Sequence, residues 1–148
     1  MRNFTNYWEK SRIMARACLA YKPASVLDVG CGEGKLVKLL RDEGVDARGI
    51  DIGECGKYCP KYCSYGNASD IPFDDSSFDI VVSDGVLEHI PEEDIDKVYS
   101  EMKRVGKHII LRICVKTKPW PGHITIKPIS WWKKKMVGCQ FIGKEWNR

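Results

Sequence analysis

Apolar positions along the 148-residue chain recur with two periods that alternate from segment to segment. Met14, Ala17, Cys18 and Tyr21 stand at i, i+3, i+4 and i+7, which predicts an amphipathic helix over residues 5–21, stopped by Pro23. Residues 25–30 are a short apolar run closing on glycine, a strand that enters a turn. Leu36, Leu39 and Leu40 give the following helix one apolar face, and Gly44 ends it. Short strands follow at 47–51 and, more weakly, at 62–66, with a strong one at 78–83. Pro91 and the acids Glu92, Glu93 and Asp94 open another helix, where the helix dipole favours negative charge. Its apolar stripe is Ile95, Val98, Tyr99 and Met102. Residues 107–113 read as the near-continuous apolar strand of a buried parallel sheet. Trp132 and Met136, four apart, are expected to pack a terminal helix on that sheet, and residues 140–146 to supply a last strand.

Strands alternating with helices predict right-handed crossovers and an α/β fold: a doubly wound, mostly parallel sheet of about six strands in three α/β/α layers. One domain is expected, with residues 1–22 as a leading helix, 23–113 as the core and 114–148 as a loop, terminal helix and last strand. The last strand leaves a sheet edge that is exposed or covered by another chain, so an oligomer is one expectation.

Composition adds little to this picture and charge adds more. With 43% hydrophobic and 30% charged residues the chain has the make-up of an ordinary globular protein. No apolar run approaches the roughly 20 residues of a membrane span, and MRNFTNYWEK lacks the apolar region of a secretion signal, so a cytoplasmic protein with no membrane contact is expected. Seven cysteines, an odd number, favour reduced thiols over a disulfide framework. The net charge of +4 is unevenly distributed. Residues 1–102 carry 12 basic and 19 acidic side chains, a net of −7, while 103–148 carry 12 basic side chains and one acid, a net of +11. Such a division points to an acidic partner, with nucleic acid one reading of the basic C-terminal segment and solvated lysines the other.

The chemistry is concentrated in Val26–Leu36, where a strand runs into Gly30-Cys31-Gly32-Glu33-Gly34 and a helix follows at once. Glycines there let a ligand approach the backbone, and the helix start offers free N–H groups. The G-x-G-x-G spacing differs from the G-x-G-x-x-G of dinucleotide-binding domains. Asp28 precedes the turn, and Asp51 ends the next strand, where a carboxylate can accept two hydrogen bonds from a ribose diol.

VLDVGCGEGKL resembles the first motif of class I S-adenosylmethionine-dependent methyltransferases, and GIDI resembles their acidic second motif. GNASDIPF (66–73) is similar to the segment beside the adenine, FDIVVSDGVLEHI (78–90) to the fourth-strand motif, and HITIKPISWWKKKMVGCQF (123–141) to the tail of type 11-like members. The resemblance implies a Rossmann-like fold and S-adenosyl-L-methionine as cofactor. It places Gly30 and Gly32 at the methionine portion, with Asp28 and Cys31 of the same motif among the cofactor-binding residues, Asp51 on the ribose hydroxyls, Ile52 on the adenine face, and Asn67 and Ala68 at the adenine edge. Asn67 stands where the family usually has Asp, and its amide oxygen can accept from the adenine amino group. Ser83 and Asp84 are implied to face the methionine and the substrate, and Tyr7 to lie over the cofactor. The family sheet has seven strands ending in an antiparallel hairpin, of which this chain has residues for six.

The implied reaction is methyl transfer to an acceptor of unidentified class. A catalytically silent cofactor-binding partner subunit is the alternative. Asp84, His89 and His123 are the candidate catalytic residues, with hydrogen-bonding scaffold the other reading of both histidines. Cys55, Cys59 and Cys63 have metal-like spacing, but the local sequence offers no fourth ligand, so reduced thiols in a short insert are expected and no metal is assigned.

Overall fold

A computed structural model describes residues 4–115 and 120–143, with side chains from residue 8 onward. Six strands form one parallel sheet: β1 (Ser25–Val29), β2 (Asp46–Asp51), β3 (Cys63–Tyr65), β4 (Phe78–Asp84), β5 (Gly106–Arg112) and β6 (Gln140–Phe141). Their order is β3-β2-β1-β4-β5-β6, so the chain reverses its direction of travel across the sheet between β1 and β4. In open α/β sheets that switch point is where the strand ends part and a ligand crevice opens.

Four helices cover the sheet: α1 (Phe4–Leu19), α2 (Lys35–Asp42), α3 (Glu92–Val105) and α4 (Ile129–Lys135). The strand residues sort by period two, as a pleated backbone requires. Val26, Ile80, Val82 and Ile110 bury with Met14, Cys18, Leu36, Val37 and Leu40 from α1 and α2. Their sequence neighbours Leu27, Val29, Val81, Ile109 and Leu111 bury on the other face with Ile95, Val98, Met102, Trp132 and Met136 from α3 and α4. The expected packing of Trp132 and Met136 is thus what the structure shows, and the Tyr99 hydroxyl ties the end of α4 down by donating to Val137 O at 2.7 Å.

Element boundaries differ modestly from the expectation. The leading helix ends at Leu19, and Tyr21 is exposed, its hydroxyl donating to Gln140 at 2.6 Å. Between β2 and β3 there is no full crossover helix. Turns and a short 3₁₀ segment at Pro60–Tyr62 fill the space, held by the Arg41 guanidinium stacked 3.1 Å over the Tyr62 ring. The last strand is two residues long in the described part and pairs parallel with β5; residues 144–146 of the expected strand lie outside the described residues.

Candidate functional site

The glycine turn sits at the switch point and is shaped by its backbone. Gly30 has φ +80° and Gly32 φ +50°. A Cβ on Gly30 would come within 2.3 Å of Val86, whereas one on Gly32 would meet nothing within 4 Å. Gly30 therefore permits close packing, while Gly32 leaves open space where a ligand would lie. Gly30 and Cys31 N–H both donate to Ile50 O, at 2.8 and 3.0 Å, which fixes the turn to the end of β2.

Two cavities flank this turn and share Gly30, Asp84 and Gly85. The smaller, about 270 Å³, is walled by Asp28, the turn, the first residues of α2, and Lys10 and Ser11 of α1. The larger, about 510 Å³, is walled by Asp51, Ile52, Asn67, Ala68, His89 and Ile90. Asp51 joins the two: Oδ2 accepts from Gly32 N–H and Oδ1 from Gly53 N–H, both at 2.9 Å. A carboxylate has about four acceptor positions, so each oxygen keeps one for a ligand diol. Ile52, 70% exposed, offers a flat apolar surface beside it.

The structure brings Asp28, Gly30, Cys31, Gly32 and Asp84 to the smaller cavity and Asp51, Ile52, Asn67 and Ala68 to the larger one. Ser83 stands apart. It is buried, and its hydroxyl donates to Val29 O at 2.9 Å, so its side chain braces β1 against β4 and lines neither cavity. The Asn67 amide oxygen is occupied as well. It accepts from Ser69 N–H at 2.9 Å and from the Ser69 hydroxyl at 2.8 Å, closing an Asx turn. The acceptor role expected for that oxygen is corrected accordingly: the NH₂ group is what Asn67 has left to offer a ligand. The side chain of Tyr7 lies outside the described residues.

Asp28 is 5% exposed, and burial, followed by the negative charge of Asp84, pushes its carboxyl well above the usual carboxylate range. A cationic group in the smaller cavity would favour its charged form. Asp84 is paired: both oxygens meet Arg112, from Nε at 2.6 Å and from an Nη at 2.5 Å. The two-pronged pair holds the Asp84 carboxylate in one orientation, as an anchored wall of both cavities. Arg112 was missed by sequence reasoning. The signal was a cation at the end of an apolar strand, and parallel register makes it the direct neighbour of Asp84. Lys10 and Ser11 were missed too, because helical periodicity says nothing about what the polar face of α1 overlies.

The cysteines are all free thiols. Cys31 donates to Cys63, which lowers the Cys63 pKa and raises that of Cys31, and Cys55 also interacts with Cys31. A fourth thiol is thus near the three that share the x3 spacing. Even so, among the described residues only Glu88, His89 and His123 form a set of three ligand atoms within 4.8 Å of one another.

Residues 27–108 match the family described as the methyltransferase domain. Among known proteins, the chain is similar to a probable S-adenosylmethionine-dependent methyltransferase of Mycolicibacterium smegmatis, 32% identical over 57% of this chain and 36% of that one. It is also similar to ajmaline N-methyltransferase of Rauvolfia serpentina, 30% identical over 72% of this chain and 42% of that one. A crystal structure of a protein from Pyrococcus horikoshii superposes with a TM-score of 0.63 at 27% identity, covering 71% of this chain and 52% of that one. The chain therefore spans about half the length, or less, of these relatives.

Proposed function

The chain belongs to the class I S-adenosylmethionine-dependent methyltransferases, and from that premise we propose that its two-lobed cleft binds S-adenosylmethionine and directs the methyl group to a nucleophile at the His89 side. The observation that carries this reading is the Asp51 carboxylate, held by Gly32 and Gly53 with acceptor positions to spare, between one cavity of nucleoside size and another lined by a buried acid. When bound, the cofactor supplies an activated sulfonium methyl group, so the protein's task is alignment and exclusion of water rather than activation of the donor.

The residues divide that task. Asp51 accepts from the ribose hydroxyls, and Ile52 packs on the adenine face. The Asn67 NH₂ donates to a ring nitrogen of the adenine edge. Gly32 admits the methionine portion, whose positive charge favours ionised Asp28. Asp84, locked by Arg112, fixes the wall between the nucleoside and methionine lobes.

For the acceptor we favour a small molecule with an apolar body. Trp120 and Ile124, 59% and 61% exposed, belong to the loop that carries His123 and whose Thr125 bonds to Ile90 of the larger cavity's wall. The alternative, a nucleic acid, rests on the basic segment. Yet Arg104, Lys107, Arg112, Lys127 and Lys135 each pair with a carboxylate of this same chain. Calorimetry with S-adenosylhomocysteine, then transfer of a labelled methyl group to metabolite, protein and nucleic-acid fractions, tests the proposal. Binding of S-adenosylhomocysteine but not NAD, with label in the metabolite fraction, is expected. Failure to bind S-adenosylhomocysteine overturns the cofactor reading. Binding with no transfer to any fraction removes the catalytic half and leaves a cofactor-binding partner subunit.

A further inference from the structure

Glu88 and His89 lie in a 3₁₀ turn, Leu87–His89, just past β4, and His123 lies in the loop after β5. Main-chain bonds clamp these segments together. Ile124 and Thr125 N–H donate to Glu88 O at 2.9 and 3.1 Å, and the Thr125 hydroxyl donates to Ile90 O. The two imidazoles meet edge to face with centroids 4.7 Å apart. One nitrogen of each ring and one Glu88 carboxylate oxygen lie within 4.8 Å of one another.

Two features of this cluster have no use in donor binding. Glu88 is 1% exposed; Cys114 N–H donates to its Oε1 at 3.2 Å, but Oε2 has no partner among the described residues. A buried acceptor left unpaired costs about 1–3 kcal/mol, and more when charged, so such an atom needs an explanation. His89, for its part, contacts Gly122 O through Nδ1 at 2.7 Å. Facing a carbonyl, Nδ1 is the donor, so in the neutral ring the lone pair sits on Nε2. Metal-bound histidines are oriented in this way, by donating the other ring N–H to a carbonyl or carboxylate.

We propose that Glu88, His89 and His123 hold a divalent transition-metal cation, of the zinc or cobalt kind, at the acceptor side of the cleft. Two imidazole nitrogens and one carboxylate oxygen suit such ions better than calcium or magnesium, which prefer oxygen throughout. Ligand atoms about 2.0–2.1 Å from zinc stand about 3.3 Å apart in a tetrahedron, so the three need to close by at most about 1.5 Å. The cation would take up the orphaned Oε2. Three protein ligands leave a coordination position for water or for an oxygen or nitrogen of the acceptor, and His89 is part of the larger cavity's wall. Only this last role rests on the methyl-transfer reading; cation binding itself does not.

The test is a Co²⁺ titration of the chelator-stripped full chain, followed by absorption and calorimetry. Cobalt is the probe because ligation by the cysteines would add intense sulfur-to-cobalt charge-transfer absorption, which nitrogen and oxygen ligands lack. One equivalent is expected to bind without that absorption. His123→Gln is expected to weaken binding at least tenfold while the apo chain still melts cooperatively, and Cys55→Ser to leave it unchanged. No saturable binding at millimolar Co²⁺, affinity unaltered in His123→Gln, or a thiolate-type spectrum lost in Cys55→Ser would each overturn the proposal. A wild-type chain that binds cobalt but not S-adenosylhomocysteine would sink the cofactor reading and leave the metal site standing.

Discussion

Replacing Asp51 by Ala tests the cofactor reading at its centre. The carboxylate accepts Gly32 N–H and Gly53 N–H at 2.9 Å each, so its remaining acceptor positions are the ones available to a ribose diol. Hydrogen bonds to a charged group contribute about 1.5–3 kcal/mol each. Asp51 is only half-buried, so the lower end applies, and two such bonds amount to ~3 kcal/mol, or roughly a hundredfold in affinity. Truncation also releases Gly32 from its partner and loosens the turn that must approach the methionine portion. Asp51→Asn separates the contributions. One of the two carboxylate oxygens becomes an NH₂, which cannot accept from Gly32 or Gly53 and can only donate towards the diol, so this variant is expected to bind nearly as poorly as Ala. The assay is calorimetric titration with S-adenosylhomocysteine, with a melt of the unliganded variant to show that it folds. Affinity within fivefold of wild type in both folded variants would refute the ribose role.

Two further perturbations probe the scaffold. Gly30→Ala places a Cβ 2.3 Å from Val86 Cγ2 at a φ of +80°. The left-handed backbone alone costs about 1–2 kcal/mol, so a lower melting temperature and lost S-adenosylhomocysteine binding are expected, with Val86→Ala restoring part of the stability by relieving the contact. A double variant as unstable as Gly30→Ala would place the whole cost in the backbone. Glu101 is held down to about 2 by hydrogen bonds from Arg104, and it also accepts Ile71 N–H at 2.8 Å. Because its pKa is depressed in the folded state, its stabilisation is present above the ordinary value of 4.5 and is lost as pH falls from there towards 2. Thermal melts should show wild type losing roughly 3–6 °C more than Glu101→Gln between pH 5 and pH 2.5; parallel curves would remove Glu101 from acid sensitivity.

What the sequence made legible was whatever a local pattern determines. Strand periodicity located β1, β4 and β5, because burial on both faces demands nearly unbroken apolar runs. The glycine turn and Asp51 were legible because backbone access and a diol acceptor require those residue types wherever they occur. Long-range pairing was not legible. Asp84 reads as an acid free for chemistry until β4 and β5 align it with Arg112. Asn67 reads as an acceptor until Ser69 folds back on it. Glu88 and His89 are adjacent in sequence, but His123 is 34 positions beyond His89, and contacts of Gly122, Ile124 and Thr125 bring it alongside. In each case the missing information is which polar partner completes a buried group, and that partner sits on another element.

The charge division follows the same logic. Lys127 meets Glu92 at 2.7 Å and Lys135 meets Asp96 at 2.9 Å, which places cations of the basic segment against the acidic first turns of α3. Lys107 pairs with Asp79, and Arg104 with Glu101 and Asp75. With Arg112 on Asp84, five of the twelve cations of the basic segment pair with carboxylates of the same fold among the described residues. Exposed pairs of this kind contribute about 0–1 kcal/mol each, so their main effect is orientation: they hold α4 and the loop before it against α3. That loop carries His123. Part of the uneven charge is thus spent within the fold, where it positions the loop that carries His123.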